Sequence, residues 1–518
     1  MSPPSFEERW DEVEAAKKAL SDDARADTLA RQRKRGKMTA RERIDALLDP
    51  GSFSEQGALV TPPNGDRDDA PGDGMWTGIG RIDGRPVAVA SQDFSVYGGS
   101  VGPYSSAKIQ RLMDQCLAQG IPLIMMLDGG GHRIQGMQDS WHFANTKPFF
   151  ADMARLSGWV PVVAAIMGDG FAAPTNFAAF AELVIMVRDM ATMGLSGPAL
   201  VKVATGEEIS KEELGGAEVQ VDENGLAHMG ADSEADALGM IRQYLSYLPS
   251  NARGTPPQGL QDDPPGRCCN TLTSIVPTDS KRPYDVRKVI REIADADSLF
   301  EIQPTWGGSA ITAFARMNGR SVGFIANQPM RLGGMLTSQS CEKIARFIAV
   351  CDAFGLPLIY LIDVPGFSIG PPAERAMLGR RSGKLIAELA HATVPRLSLV
   401  LRKGYGGAYV AMCGGKGFAP DAAMIWPTAE ICPMSIEGSV DVAYRREYEA
   451  APDPSARRQE LIDEMREQIN PLRAAGGMGI DDIIHPADTR RVFNEVLSRA
   501  PERRHLAMPP KYRSITPI

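Results

Sequence analysis

Gly404, Gly406, Gly407 and Ala408 follow an apolar run in the segment Val394-Pro-Arg-Leu-Ser-Leu-Val-Leu-Arg-Lys-Gly-Tyr-Gly-Gly-Ala-Tyr-Val410. A buried strand that delivers the chain into residues this small lets bare backbone approach a ligand and turn its N–H groups toward a developing oxyanion. The same composition also suits an ordinary turn between a strand and a helix. A second segment, Val160-Pro-Val-Val-Ala-Ala-Ile-Met-Gly-Asp-Gly-Phe-Ala-Ala-Pro174, again runs strand into small-residue turn. Its small pair is Ala172-Ala173, and Pro174, which has no N–H to offer, stands where the other turn has Ala408. Two oxyanion-type turns suit a reaction in which two carbonyl compounds each pass through an enolate. No dedicated catalytic side chain accompanies them. His132, after Asp128-Gly-Gly-Gly131, suits an acid or base but equally a structural loop histidine. His142, His228, His391, His485 and His505 have no metal-ligand spacing, and Gly-x-x-x-x-Gly-Lys-Ser/Thr is absent. Lys202 and Thr205-Gly206-Glu207 form a polar cluster that a helix end explains as well.

The elements that must position these turns are written twice, at an offset of 235 residues. Gly80-Arg-Ile-Asp-Gly-Arg-Pro-Val87 answers Ala315-Arg-Met-Asn-Gly-Arg-Ser-Val322, and Gly98-Gly99, Lys108-Ile109, Arg111 and Cys116 answer Gly333-Gly334, Lys343-Ile344, Arg346 and Cys351. Gly120-Ile-Pro-Leu-Ile-Met-Met-Leu-Asp128 then answers Gly355-Leu-Pro-Leu-Ile-Tyr-Leu-Ile-Asp363, and the two turns follow at an offset of 234. Each unit reads as strand, glycine loop, amphipathic helix and buried strand, then a further helix and strand, which predicts two α/β domains of one fold. Proline and glycine interrupt the periodicity between Pro249 and Asn270, so the domains are assigned to residues 1–262 and 263–518. Before the first unit, Phe6 to Leu48 reads as an arm of one or two exposed helices ending at Asp49-Pro50-Gly51. Its basic run, Arg31 to Lys37, suits either phosphate binding or a solvated helix face. Pro, Gly and Asp predict an irregular loop from Thr61 to Gly74.

A chain of 518 residues is too long for one core. A formal net charge of −8 argues against a general nucleic-acid or anionic-membrane binder. Seven cysteines without repeated Cys-x-x-Cys spacing give no zinc ribbon or disulfide framework, which fits a reducing cytoplasm. An acidic N-terminus without an apolar core, and no long apolar run, predict a soluble intracellular protein.

Seven motifs in one order carry a resemblance. They are Gly36-Lys-Met-Thr-Ala-Arg-Glu-Arg43, Asp128-Gly-Gly-Gly-His-Arg-Ile-Gln135, Ser246-Tyr-Leu-Pro-Ser-Asn251, Ala326-Asn-Gln-Pro329, Asp363-Val-Pro-Gly-Phe367, Lys403-Gly-Tyr-Gly-Gly-Ala-Tyr409 and Trp426-Pro-Thr-Ala-Glu430. Together they resemble the carboxyltransferase (β) subunit of biotin-dependent acyl-CoA carboxylases, from about Gly36 to the C-terminus, with Asn470-Pro-Leu and Pro486-Ala-Asp-Thr-Arg-Arg491 continuing the likeness. The resemblance implies two tandem crotonase-like domains, the first on the acyl-CoA side and the second on the biotin side. It also implies a hexamer built as a trimer of dimers, with active sites at dimer interfaces. The family reaction moves a carboxyl group from carboxybiotin to the α-carbon of an acyl-CoA without a protein base. By this likeness Gly407 and Ala408 hold the biotin carbonyl, with Gly406, Tyr409 and Val410 around it, while Ala172 and Ala173 stand where a Gly-Gly pair holds the thioester oxygen, beside Gly130 and Gly131. No Met-Lys-Met biotinylation motif occurs, so the biotin carrier and biotin carboxylase of the ATP-dependent holoenzyme are expected on partner chains.

Four positions depart from the family pattern. Ala172-Ala173-Pro174 replaces the glycine pair; Val410 stands where propionyl-preferring relatives are acidic; Met434-Ser-Ile-Glu-Gly438 replaces a more glycine-rich segment; and His132 replaces an alanine. The expected function is a carboxyltransferase for a short or unusual acyl-CoA. The alternatives are an acyl-CoA decarboxylase of the same family and a noncatalytic assembly paralogue.

Overall fold

The offset of 235 residues persists in three dimensions through the hairpin and the strand that follows it, β2, β3 and β4 of the first unit answering β11, β12 and β13 of the second. The structure, a computed structural model, describes residues 3–61, 70–134, 140, 144, 147–503 and 515. Residues 62–69 of the expected irregular loop, together with Gln135, His142 and His505, lie outside the described residues. Two compact units divide the chain, Met1–Gly254 with Tyr512–Ile518 and Thr255–Lys511. The division falls inside the stretch where the sequence loses its periodicity. Ile515, which the sequence alone would leave with the second domain, is buried in the first unit, where its N–H donates to the Ser157 hydroxyl at 3.2 Å.

In the first unit, helices α1 (Phe6–Lys18), α2 (Ala26–Lys34) and α3 (Ala40–Leu47) precede the sheet. The strands are β1 (Ser54–Gln56), β2 (Met75–Ile82), β3 (Arg85–Gln92), β4 (Leu123–Leu127), β5 (Val162–Ile166), β6 (Asp169–Phe171), β7 (Leu183–Val187), β8 (Thr192–Gly194) and β9 (Met229–Ala231). Seven of them form one sheet in the order β1-β2-β3-β4-β5-β7-β9, antiparallel through β3 and parallel beyond it, while β6 and β8 pair separately. All five residues are buried in each of β4, β5 and β7, as expected of parallel strands covered on both faces. Helix α4 (Pro103–Gln119) joins β3 to β4 and buries Ile109, Leu112, Met113 and Cys116, one helical face. It begins with proline and ends at Gly120 in the left-handed region (φ 64°), a stop that favours glycine. Helix α5 (Ala173–Phe180) leaves the first turn, and α6 (Glu234–Tyr247) follows β9.

Corresponding strands build the second unit: β10 (Phe300–Ile302), β11 (Ala310–Met317), β12 (Arg320–Asn327), β13 (Leu358–Val364), β14 (Arg396–Tyr405), β15 (Ala422–Ile425), β16 (Glu430–Cys432) and β17 (Asp482–Ile483). Their order is β10-β11-β12-β13-β14-β15-β17, with β16 on β14. Register is conserved between the copies. Met125 faces Ala164 in the first sheet, and Tyr360 faces Ser398 at the duplicated position in the second. The copies differ after the central strand. β14 continues for ten residues and pairs with β15 and then β16, whereas the first unit breaks the same path into β5 and β6. Helix α7 (Ser338–Ala353) is buried at every residue from Ser340 to Ala353. Helix α8 (Gly406–Ala411) leaves the second turn. Among the described residues no helix is long and apolar enough to cross a membrane.

The arm is more than the exposed helices its charge suggests. Three helices form, and α3 is packed inward, with Ala40, Arg43, Ile44 and Leu47 buried. The charge pattern misleads because the partners of Arg43 are distant in sequence.

Lys108 and Lys343 are another duplicated pair, buried where helix meets hairpin. Lys343 donates to the carbonyls of Gln303 (2.7 Å), Trp306 (3.1 Å) and Ala310 (2.9 Å), and Lys108 donates to those of Gly72 and Met75. Burial pushes the Lys343 ammonium down to about 7, with the Glu301 charge opposing. Between that value and the ordinary lysine range the unfolded chain binds more protons than the folded one, so this group makes stability rise with pH. In Lys343→Met the rise in urea midpoint between neutral and mildly alkaline pH should shrink. Equal slopes in the two proteins would contradict the assignment.

Candidate active site

Each central strand ends in a buried aspartate that fixes the loops around its turn. In the first unit Asp128 follows β4 and accepts from Lys37 Nζ at 2.7 Å and from the Arg43 guanidinium at 2.8 Å. Arg43 also donates to Glu234 of α6 at 2.6 and 2.9 Å. In the second unit Asp363 accepts from Arg402 Nε at 2.9 Å and the Tyr284 hydroxyl at 3.0 Å. Arg402 donates onward to the carbonyls of Asp279 (2.8 Å) and Arg282 (2.9 Å). A duplicated amide steadies each aspartate's backbone. The Asp128 N–H donates to Gln92 Oε1 (2.9 Å), whose amide donates to the Gly99 carbonyl (3.0 Å), and Asn327 repeats both bonds to Asp363 and Gly334 at 3.2 and 3.0 Å. Apart from Lys37, which belongs to the basic run of the arm, sequence reasoning did not assign these groups a role. The signal was present, since each aspartate closes an apolar run and Lys37, Arg43 and Arg402 lie in or beside the quoted motifs.

The second turn is open at Gly407. Gly406 adopts φ 63°, Gly407 is exposed, and Ala408 is fully buried. A β-carbon placed on Gly407 would touch only the Phe367 ring, at 3.5 Å, so the space before this backbone is bounded by an aromatic edge. As the first residues of α8, Gly407 and Ala408 have N–H groups without intrahelical acceptors. Tyr409 lies against Gly404 and Gly414, where any side chain would collide with its ring, and its hydroxyl lies against Gly415. Burial pushes its hydroxyl up to about 12, which keeps it neutral. Val410 is 41% exposed beside the turn. The structure therefore brings Gly406, Gly407, Ala408 and Val410 together and makes Tyr409 a packing residue.

The first turn differs in three ways. Ala172 adopts φ 68°, ψ −119°, a conformation that favours glycine. Its N–H donates to the Gly194 carbonyl at 2.8 Å, as part of the small β6-β8 layer, so Ala172 is not a donor to a ligand. Pro174 has no donor, leaving Ala173 as the first N–H of α5. The glycine loop lies against this turn: a β-carbon on Gly131 would come 2.8 Å from the Ala172 methyl and 3.4 Å from the Ala173 nitrogen. Gly130, however, spends its N–H on the Gly98 carbonyl at 3.2 Å. Thus Gly131, Ala172 and Ala173 converge, while the N–H groups of Gly130 and Ala172 are already engaged. Beside them His132 forms a β-bridge with Val101, as Phe367 does with Leu336 at the duplicated position.

The basic run of the arm lines a cavity of about 540 Å³, to which Arg31, Arg35, Lys37, Phe94 and Ser95 contribute. Lys37 Nζ lies 5.4 Å from the Phe94 ring centre while bonded to Asp128. The Thr205-Gly206-Glu207 cluster is a helix end, with Gly206 at φ 80°. Two Gly-x-Ser-x-Gly segments, Gly98–Gly102 and Gly319–Gly323, do not form nucleophile elbows. Ser100 bonds the Tyr97 carbonyl, and Ser321 is buried within β12.

Duplicated sheets of this order, in which β5–β6 and β14 each lead into a small-residue turn, define a crotonase-like fold. Residues 31–515 match the carboxyl transferase domain family. The chain is 39% identical over 518 residues to the propionyl-CoA carboxylase carboxyltransferase subunit of Haloferax mediterranei, covering 98% of this chain and 100% of that one. It is 42% identical over 473 residues to the methylmalonyl-CoA carboxyltransferase 12S subunit of Propionibacterium freudenreichii subsp. shermanii, covering 90% and 89% of the two chains. The crystal structure of transcarboxylase 12S with methylmalonyl-coenzyme A and methylmalonic acid bound, described as a hexamer assembly, superposes with a TM-score of 0.91 at 36% identity, over 100% of this chain and 99% of that one. The chain belongs to the carboxyltransferase family of biotin-dependent acyl-CoA carboxylases.

Proposed function

We propose that the protein carries a carboxyl group from carboxybiotin, presented on a separate carrier chain, to the α-carbon of a short acyl-CoA. The observation that carries this reading is the duplicated turn: two backbone seats, one per unit, each following a buried strand of its sheet. Carboxybiotin supplies the carboxyl group by cleavage of its N–carboxyl bond, and the nitrogen so freed receives the α-proton. The α C–H bond breaks, the new C–C bond forms, and the charge that develops on the thioester oxygen falls to the N–H groups of Gly131 and Ala173. The N–H groups of Gly407 and Ala408 hold the biotin carbonyl, and the bare α-carbon of Gly407 admits it. We assign the protein to a cytoplasmic, ATP-dependent holoenzyme with a biotin carboxylase and a carrier subunit, and to a hexamer like that described for the 12S relative. Bicarbonate- and ATP-dependent incorporation of label into an acyl-CoA, with those partners present, tests the reading. Loss of CO2 from a malonyl-type CoA without biotin, and no incorporation into any acyl-CoA, would replace it with the decarboxylase alternative.

The cavity at Arg31, Arg35 and Lys37 suits the phosphates of coenzyme A. Arg31→Glu/Arg35→Glu should raise KM for the CoA thioester several-fold and leave kcat unchanged, with no effect on the corresponding pantetheine thioester. An equal effect on both substrates would remove the phosphates from this cavity.

A further inference from the structure

Residue 172 sits in a glycine conformation without being glycine, and its duplicate shows what the position requires. Gly406, its counterpart at the offset of 234, has nearly the same φ, 63° against 68°. An L-residue there carries backbone strain, and strain of this kind persists only where the surroundings hold it. They do so here. The Ala172 N–H is bonded to the Gly194 carbonyl (2.8 Å), its carbonyl accepts from the Asn176 N–H (3.3 Å), and the Thr175 hydroxyl donates to the carbonyls of Gly170 (2.8 Å) and Gly194 (2.9 Å).

The methyl group that comes with this strain is directed at the glycine loop. A β-carbon on Gly131 would meet it at 2.8 Å, whereas one on Gly366, the duplicate of Gly131, would meet nothing within 4 Å. The first seat is therefore filled where the second is empty. We infer that the Ala172 methyl is a specificity element of the first seat, limiting how large a substituent the acyl group carries next to its thioester carbonyl. The inference rests on the carboxyltransferase reading and deepens it. A thioester oxygen held by Gly131 and Ala173 puts the carbonyl carbon about 1.2 Å further on, so the methyl meets substituents on the α-carbon rather than the distal end of the acyl chain.

Ala172→Gly tests this without risk to folding, because glycine takes the observed conformation freely. In the complete complex with its biotin carboxylase and carrier, kcat and KM are measured for acetyl-, propionyl-, butyryl- and isobutyryl-CoA. The variant should gain about tenfold in kcat/KM for isobutyryl-CoA relative to acetyl-CoA, the scale of one methyl group in a shaped pocket, and Ala172→Val should lose propionyl-CoA relative to acetyl-CoA. Butyryl-CoA, extended only at its far end, should follow propionyl-CoA. A uniform change across all four substrates would overturn the inference. If the wild-type complex carboxylates none of them, the proposed function fails. Equilibrium binding of the same four thioesters to the hexamer still decides the steric claim, with a selective gain for isobutyryl-CoA in Ala172→Gly supporting it and parallel affinities overturning it.

Discussion

Gly407→Val is expected to lower biotin-dependent carboxyl transfer by about 100-fold or more, the scale of losing a preorganised oxyanion donor. The side chain would project from the exposed start of α8 toward Phe367, 3.5 Å beyond the first added carbon, and would cover the N–H groups of Gly407 and Ala408. Gly407 does not occupy the left-handed region, so valine adds bulk without backbone strain. The oligomer should persist by size-exclusion chromatography, and acyl-CoA affinity should not change, because that ligand is assigned to the first seat. Unchanged turnover would mean that biotin is held elsewhere.

Arg43→Met is the second large expectation, and its effect is on folding. Arg43 is fully buried and neutralises both Asp128 and Glu234. Removing one member of a buried ion network leaves a charge uncompensated, at a cost of about 3–5 kcal/mol. Lys37 still reaches Asp128, so the stranded group is chiefly Glu234. Pairing Arg43→Met with Glu234→Gln should therefore restore part of the loss, and the urea midpoints of the two single variants and the double variant measure it. Additive losses would show that Glu234 does not depend on Arg43.

These two sites differ in how readily the sequence discloses them. The Gly407-Ala408 turn, which we propose as the biotin seat, is legible because it follows an apolar run and because a diverged copy of the whole unit is present for comparison. The repeat likewise made the glycine loop, the helix α4 with its duplicate α7, and the buried strand after each helix readable, since local periodicity is a property of neighbouring residues, whereas the order of strands in each sheet was not. Arg43 was not readable. It lies on a helix whose charges look solvated, yet its partners Asp128 and Glu234 are 85 and 191 residues away. The first seat was half readable. Alanine in place of glycine is visible in the letters, but the engagement of the Ala172 N–H by Gly194 is not, because it depends on β6 leaving the main sheet to pair with β8.

The unequal supply of counter-charge to the two aspartates has a consequence for the order in which the chain is made. Asp363 is neutralised by Arg402, from the neighbouring strand of its own sheet, and accepts a bond from Tyr284 of its own unit. Asp128 takes its cations from Lys37 and Arg43, ahead of the sheet, at a place where Gly168 leaves room for the lysine to enter. On the ribosome those cations emerge some ninety residues before the carboxylate they serve. Burial of Asp128 thus draws the segment carrying Lys37 and Arg43 back onto the sheet, while Asp363 finds its cation on the adjacent strand. A nascent chain shortened to begin at Asp49 would therefore be expected to fold its later half and leave its earlier half unable to bury Asp128.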